Sequence, residues 1–235
     1  MNTPSLHKAQ MSILRSLRHA PAVRYVALMR PTGLDSDVFK FHLRKLVDQK
    51  LVKKLDSGMY ELTPTGKEFA NNLSKSRRTL QKQPKLSVAI IASTGAGNEK
   101  SYLFQQRLRS PYFGFWGCIS GPVQWGEPAE ATAQRELAKQ TGLTADVVVR
   151  SFCRMTDYES GSNDILEDKL FIIVEALNLG GELSNVWSKG KNAWMTVSDL
   201  KRQDKYFSST CDFINMIEAQ TYYDAQQRYY TPDEY

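Results

Sequence analysis

The chain has 235 residues, 41% hydrophobic and 24% charged, enough apolar material for one or two ordinary cores. No apolar run approaches a membrane span, and the opening MNTPSLHKAQ lacks the apolar region of a signal peptide, so the reading is a cytoplasmic protein with no membrane partner. The formal charge of +6 divides unevenly, +9 over residues 1–80 and −3 over the rest, which points the N-terminal end toward a nucleic acid or another polyanion. Cys118, Cys153 and Cys211 are odd in number and show no C-x-x-C spacing, so three reduced thiols are expected. His7, His19 and His42 have no metal-like partner.

Taken in order, Met11, Ile13, Leu14 and Leu17 recur at helical spacing. Val23–Met29 is a short second apolar stretch closed by Pro31, Thr32 and Gly33. Asp35, Ser36 and Asp37 offer N-caps to a third helix with Phe39, Leu43, Leu46 and Val47 on one face and Lys40, Arg44 and Lys45 opposite. LVKKL and MYEL then flank Asp56-Ser57-Gly58 as a hairpin, and Thr63-Pro64 caps a further helix.

This order, and the stretch FKFHLRKLVDQKLVKKLDSGMYELTPT in particular, resembles a winged helix-turn-helix domain, assigned here to residues 1–75. The resemblance implies double-stranded DNA as partner, with Lys40, Arg44 and Lys45 toward the major groove, Lys53 and Lys54 on the wing, and a homodimer on two half-sites. The plain alternative is a solvated charged face on a domain that serves protein contacts. Residues 76–85 read as a basic linker in which Arg77 and Arg78 could add phosphate contacts.

Residues 86–235 form the second domain. LSVAIIAS and SYLFQQRL read as strands joined by a glycine turn. The approach SPYFGFWGCISGPVQWGE is unusually aromatic, and Tyr112, Phe113, Trp116 and Trp125 are candidates to stack on a ligand base, with Phe115 and core packing as the competing use. Next, GPVQWGEPAEATAQRELAKQTGL reads as a helix framed by two glycine turns, with Pro128 at its first position and Gly142 at its stop. Past it, ADVVVRSFC and KLFIIVEAL are strands around a mobile acidic loop, DYESGSNDILED. NAWMTV is one more strand, SDLKRQ a short helix, and residues 208–228 a final helix.

The pattern G-x5-E-x7-R-E-L-x4-G-L from Gly121 to Leu143 resembles the box of the Nudix family, whose members mostly cleave nucleoside diphosphates linked to another group. The fold class implied is α+β in two domains, a winged helix-turn-helix followed by a Nudix-like α/β/α sandwich with a mixed sheet. Glu127, Arg135 and Glu136 match the box's catalytic positions, with Glu136 the remaining metal ligand. The two glutamates that usually follow are Lys139 and Gln140 here. Magnesium wants hard carboxylate oxygens, and each charge facing the ion is worth roughly 2–3 kcal/mol at about 6 Å and an effective dielectric near 20. Ordinary Nudix catalysis is therefore expected to be absent or weak, unless Glu130, Glu159, Glu167 or Asp168 rebuilds a metal site.

Joined, the two halves read as a transcription regulator whose degenerate Nudix domain senses a nucleotide-like small molecule. Known Nudix-related regulators usually carry the two domains in the opposite order. The alternative is a magnesium- or manganese-dependent Nudix hydrolase with an accessory winged helix, and a third reading is an adaptor with an empty pocket. No cofactor is expected unless the protein hydrolyses.

Overall fold

The computed structural model describes residues 6–73 and 82–235. Arg77 and Arg78, on which part of the linker assignment rests, lie outside the described residues. Contacts divide the chain into two units, residues 1–82 and 83–235.

In the first unit, α1 (Lys8–Arg18), α2 (Tyr25–Met29) and α3 (Ser36–Asp48) precede a hairpin, β1 (Val52–Lys54) and β2 (Tyr60–Leu62), and α4 (Pro64–Asn71). Asp35 caps α3 as expected, its Oδ1 accepting the Asp37 and Val38 amides at 3.1 and 2.9 Å. Thr63 caps α4, accepting the Gly66 amide at 2.9 Å. Ile13, Leu14, Leu28, Phe39 and Leu46 are fully buried in one core. Tyr60 of β2 also bridges Val23, which adds a third short strand segment to the hairpin.

The second unit is built on an eight-stranded mixed sheet. Its strands are β3 (Lys85–Thr94), β4 (Ser101–Arg107), β5 (Trp116–Pro122), β6 (Thr144–Glu159), β7 (Ile165–Gly180), β8 (Val186–Trp187), β9 (Gly190–Met195) and β10 (Tyr223–Tyr230), in the order β10-β6-β7-β3-β5-β4-β9-β8. β3 runs parallel to β7, and β10 parallel to β6; the remaining pairs are antiparallel. Val88, Ile90 and Ala92 of β3 pack with Ala133 and Leu137 of α5 (Ala129–Thr141). Ala89 and Ile91 pack with Phe213, Ile214 and Met216 of α7 (Ser208–Glu218), beside Leu200 of α6 (Val197–Lys201). A strand covered on both faces needs apolar side chains at consecutive positions, which is why β3 reads VAIIA instead of alternating. The result is the expected sandwich of a mixed sheet between helices.

Three local expectations are corrected. The acidic stretch after β6 is not a long loop: β6 and β7 stay paired from Thr144 to Ile165, and only residues 160–164 turn. Its inward carboxylates are accommodated by partners across the sheet, Asp157 meeting Lys169. The final helix stops at Glu218, where Gln220 takes a left-handed φ of 53°, and the chain continues as edge strand β10. Pro128 is the N-cap of α5, with helix beginning at Ala129.

Candidate functional site

The loop and helix of the box are fixed by one arginine. Arg135 donates from Nε and Nη2 to the two oxygens of Glu127, each at 2.7 Å, and from Nη2 to the Pro122 carbonyl at 3.3 Å. Glu127 also accepts from Thr132 Oγ1 at 2.7 Å and the Gln124 amide at 3.3 Å. The Arg135 bonds, and then that of Thr132, hold its carboxyl down to about 2. Gly121 is required by contact: a Cβ there would lie 2.4 Å from Glu136 Cγ. Gly142 ends α5 with a φ of 77°, in the left-handed region that favours glycine.

Glu136 itself is buried and already partnered. Arg135 Nη1 donates to Oε1, Lys139 Nζ lies 3.7 Å from the same oxygen, and Gln140 Nε2 donates to Oε2 at 2.7 Å while also bonding the Ser120 carbonyl at 2.9 Å. Two carboxylates, Glu127 and Glu136, thus face two cations, Arg135 and Lys139, and the cluster is electrically balanced. A divalent cation would have to displace the positive groups from the one carboxylate that faces it. This donor set does not fit magnesium or manganese. Nor do the other acids rebuild a site: Glu130 is exposed, Glu159 accepts from Ser162, Asp168 pairs with Arg154, and Glu167 pairs with Lys85 and Lys169. Among the described residues, no three acidic, histidine or cysteine side chains come together as a metal site.

Beside this cluster lies a cavity of about 260 Å³. Ser120, Gly121 and Pro122 form its box end, and Met155, Phe171, Phe207 and Phe213 its apolar wall. Lys85, Arg107, Arg109, Glu167 and Lys169 supply its charges. Burial opposes ionisation of Glu167, but Lys85 and Lys169 outweigh it and hold the carboxyl below its ordinary value. Tyr112, also on the lining, donates its hydroxyl to Asp157 at 2.5 Å. Burial first, and that bond second, push its phenol well up, so it remains a proton donor. Cys118 on the same lining is raised to about 12 by burial, which removes it as a thiolate nucleophile.

Of the four aromatic candidates, Tyr112 alone lines the cavity. Trp116 packs against the core beneath α7, Phe113 is exposed, and Trp125 is 99% exposed on the box loop. The aromatic wall is instead Phe171 of β7, Phe207 at the N-cap of α7 and Phe213 within α7, which lack any local signature in the sequence.

In the first unit Lys40, Arg44 and Lys45 are exposed along α3, and Lys53 and Lys54 are exposed on β1. Lys45 Nζ sits 4.6 Å over the Phe41 ring, and Lys53 pairs with Glu61 at 2.7 Å. His42 is a packing residue: its ring stacks on His7 at 4.2 Å with the planes 7° apart. Its Nδ1 is buried without a hydrogen-bond partner among the described residues.

The NUDIX domain model matches residues 83–211, more than half of the chain. No curated protein matches the sequence. Among solved structures, the mutator MutT protein from Bacillus halodurans superposes with a TM-score of 0.50 at 19% identity, covering 64% of this chain and 93% of that one. A MutT NUDIX hydrolase from Burkholderia pseudomallei gives 0.47 at 19% identity, over 58% and 99% of the two chains. The NUDIX domain of Shewanella oneidensis NrtR, solved with ADP ribose, gives 0.47 at 20% identity, over 67% and 96%. At 19% identity the likeness to the Bacillus halodurans protein concerns the fold. Among the described residues no helix is long and apolar enough to cross a membrane.

Proposed function

Since this chain belongs to the Nudix family, we propose that it uses the family's fold without the family's metal chemistry: it is a DNA-binding regulator whose Nudix domain senses a nucleotide-type ligand. The observation that carries this reading is the state of Glu136, closed off by Arg135, Lys139 and Gln140 beside a cavity that is still present. A hydrolase needs that carboxylate free to take a cation; a receptor needs only the cavity. The aromatic and aliphatic wall suits a base, and the cationic groups suit a phosphorylated partner.

The DNA half of the reading is supported by the charge division and by α3, whose exposed side carries Lys40, Arg44 and Lys45. These residues would enter the groove while Lys53 and Lys54 follow the phosphates. A homodimer would place two such helices on two half-sites. Ligand binding then acts on DNA only insofar as the ligand prefers one arrangement of the protein over another.

The test is selection of duplexes from a random pool by the full chain, followed by affinity measurement against salt with and without a nucleotide panel. Replacing Lys40, Arg44 and Lys45 with alanine is expected to weaken binding and lower the slope of log affinity against log salt by up to about 3. Failure to enrich any duplex, or a triple variant with unchanged slope, would overturn the DNA assignment. Metal-dependent turnover abolished by Glu136→Gln would instead favour a magnesium- or manganese-dependent hydrolase.

A further inference from the structure

Resting on the ligand-sensing reading above, we infer that Arg107 and Arg109 hold a phosphoryl group of the ligand directly, in place of the metal that the box no longer suits.

Four cations line it, and two are spoken for. Lys85 pairs with Glu167, and Lys169 pairs with Asp157 and lies 3.2 Å from Glu167. Arg107 and Arg109 form no ion pair within 4 Å among the described residues. Arg107 donates its Nε to the Pro111 carbonyl at 3.1 Å, which fixes the side chain and leaves both terminal nitrogens of the fork without a partner among those residues. Arg109 stands exposed at the rim. Burial is the main influence that lowers the Arg107 pKa, with the nearby Arg109 charge next. The Glu167 carboxylate, beyond ion-pair distance and already held by Lys85 and Lys169, acts the other way without reversing the direction. Two guanidinium groups close enough to repel, one of them half-buried and held by a backbone carbonyl, form an arrangement that an anion relieves.

Phosphate geometry suits the site better than a carboxylate alone. A guanidinium fork presents paired parallel donors, and two forks can share the three oxygens of one terminal phosphoryl group or bridge two phosphates. The opposite end of the cavity, at Ser120 to Pro122, offers no excess charge because the box cluster is internally balanced. A ligand would thus sit with its phosphates toward the arginines and its uncharged part toward the wall of Met155 and Phe213.

The test is titration calorimetry on the full chain in EDTA with ADP-ribose, ADP, adenosine and inorganic pyrophosphate. The expected result is metal-independent binding of ADP-ribose or ADP, binding of adenosine that is much weaker, and about ten- to hundredfold loss in Arg107→Gln with Arg109→Gln. Arg109→Gln alone, at an exposed position that does not endanger folding, should show about a tenfold loss, and Arg109→Lys a smaller one. Equal affinity for ADP and adenosine, indifferent to the arginine variants, would leave the sensor reading standing and overturn the phosphoryl assignment. Pyrophosphate binding that the variants abolish, with no nucleotide bound, would uphold the arginine site and sink the nucleotide reading. No binding by any of the four compounds would overturn both.

Discussion

The two ends of the Nudix cavity treat charge in opposite ways. At the box end Arg135, Lys139, Glu127 and Glu136 cancel one another at close range, and Gln140 takes up the remaining acceptor of Glu136. At the other end Arg107 and Arg109 have no carboxylate within ion-pair distance among the described residues. A carboxylate that the fold has already neutralised serves as scaffold, and a cation that the fold has left without a partner is available to a ligand. On the function proposed above, the box of this chain serves as a structural brace and the arginines at the other end of the cavity face the ligand.

If the box is a brace, its largest contribution is to stability. Leu137→Ala empties a fully buried position between α5 and the sheet and is expected to cost about 2–5 kcal/mol, read by denaturant unfolding of the second unit. A cost below about 1 kcal/mol would show that α5 is not what holds this face of the sheet.

Turning the box back toward metal binding sharpens the contrast. Lys139→Glu with Gln140→Glu removes the donor to the Ser120 carbonyl and places a second buried carboxylate beside Glu136. Without metal the double variant should lose about 1–3 kcal/mol, and millimolar magnesium or manganese should restore the melting temperature. Destabilisation that metal leaves untouched would mean the cavity can no longer accommodate a cation at all.

The first unit offers the same comparison between packed and free charge. Burial, then the charges of His7 and Lys45, lower the His42 pKa from 6.5, so the folded state binds its proton less readily than the unfolded chain does. The stability this contributes is present above pH about 6.5 and falls as the pH drops through that value toward the lower folded pKa. Unfolding followed from pH 7.5 to 5 should show this decline, and His42→Gln should flatten it; a slope unchanged in the variant would remove His42 as its source. The smallest effect belongs to Lys53, whose charge Glu61 already offsets on the surface. Lys53→Ala should alter stability by less than about 1 kcal/mol and DNA affinity by less than Arg44→Ala does. The reverse ranking would move the DNA contact from α3 to the wing.

The parts legible in the sequence were those governed by neighbours along the chain. Asp35, Thr63 and Gly142 sit at helix ends where their side chains or left-handed backbone are needed, and Ala133 and Leu137 are one turn apart on α5. Glu127, Arg135 and Glu136 were singled out by the resemblance to the Nudix box, as catalytic positions; that Arg135 joins Glu127 to Glu136 appears only in the structure. What could not be read was set by strands distant in sequence. Arg107, Lys85 and Lys169 meet because β4, β3 and β7 lie in one sheet, and nothing near any of them announces a shared cavity. The apolar spacing of α7 carries the expected helix on through Tyr222 to residue 228, whereas the helix ends at Glu218 and β10 begins at Tyr223. The alternation of exposed and half-buried residues along β10 was the available signal for a strand.

The central claim is tested most directly by one paired experiment on the purified full chain. Nucleoside diphosphate compounds are assayed for hydrolysis with magnesium or manganese, beside thermal-shift binding of the same compounds in EDTA. The account predicts stabilisation by at least one phosphorylated nucleotide without metal, and no metal-dependent turnover of any. Turnover that requires the metal and disappears in Glu136→Gln would contradict it and return the box to catalysis.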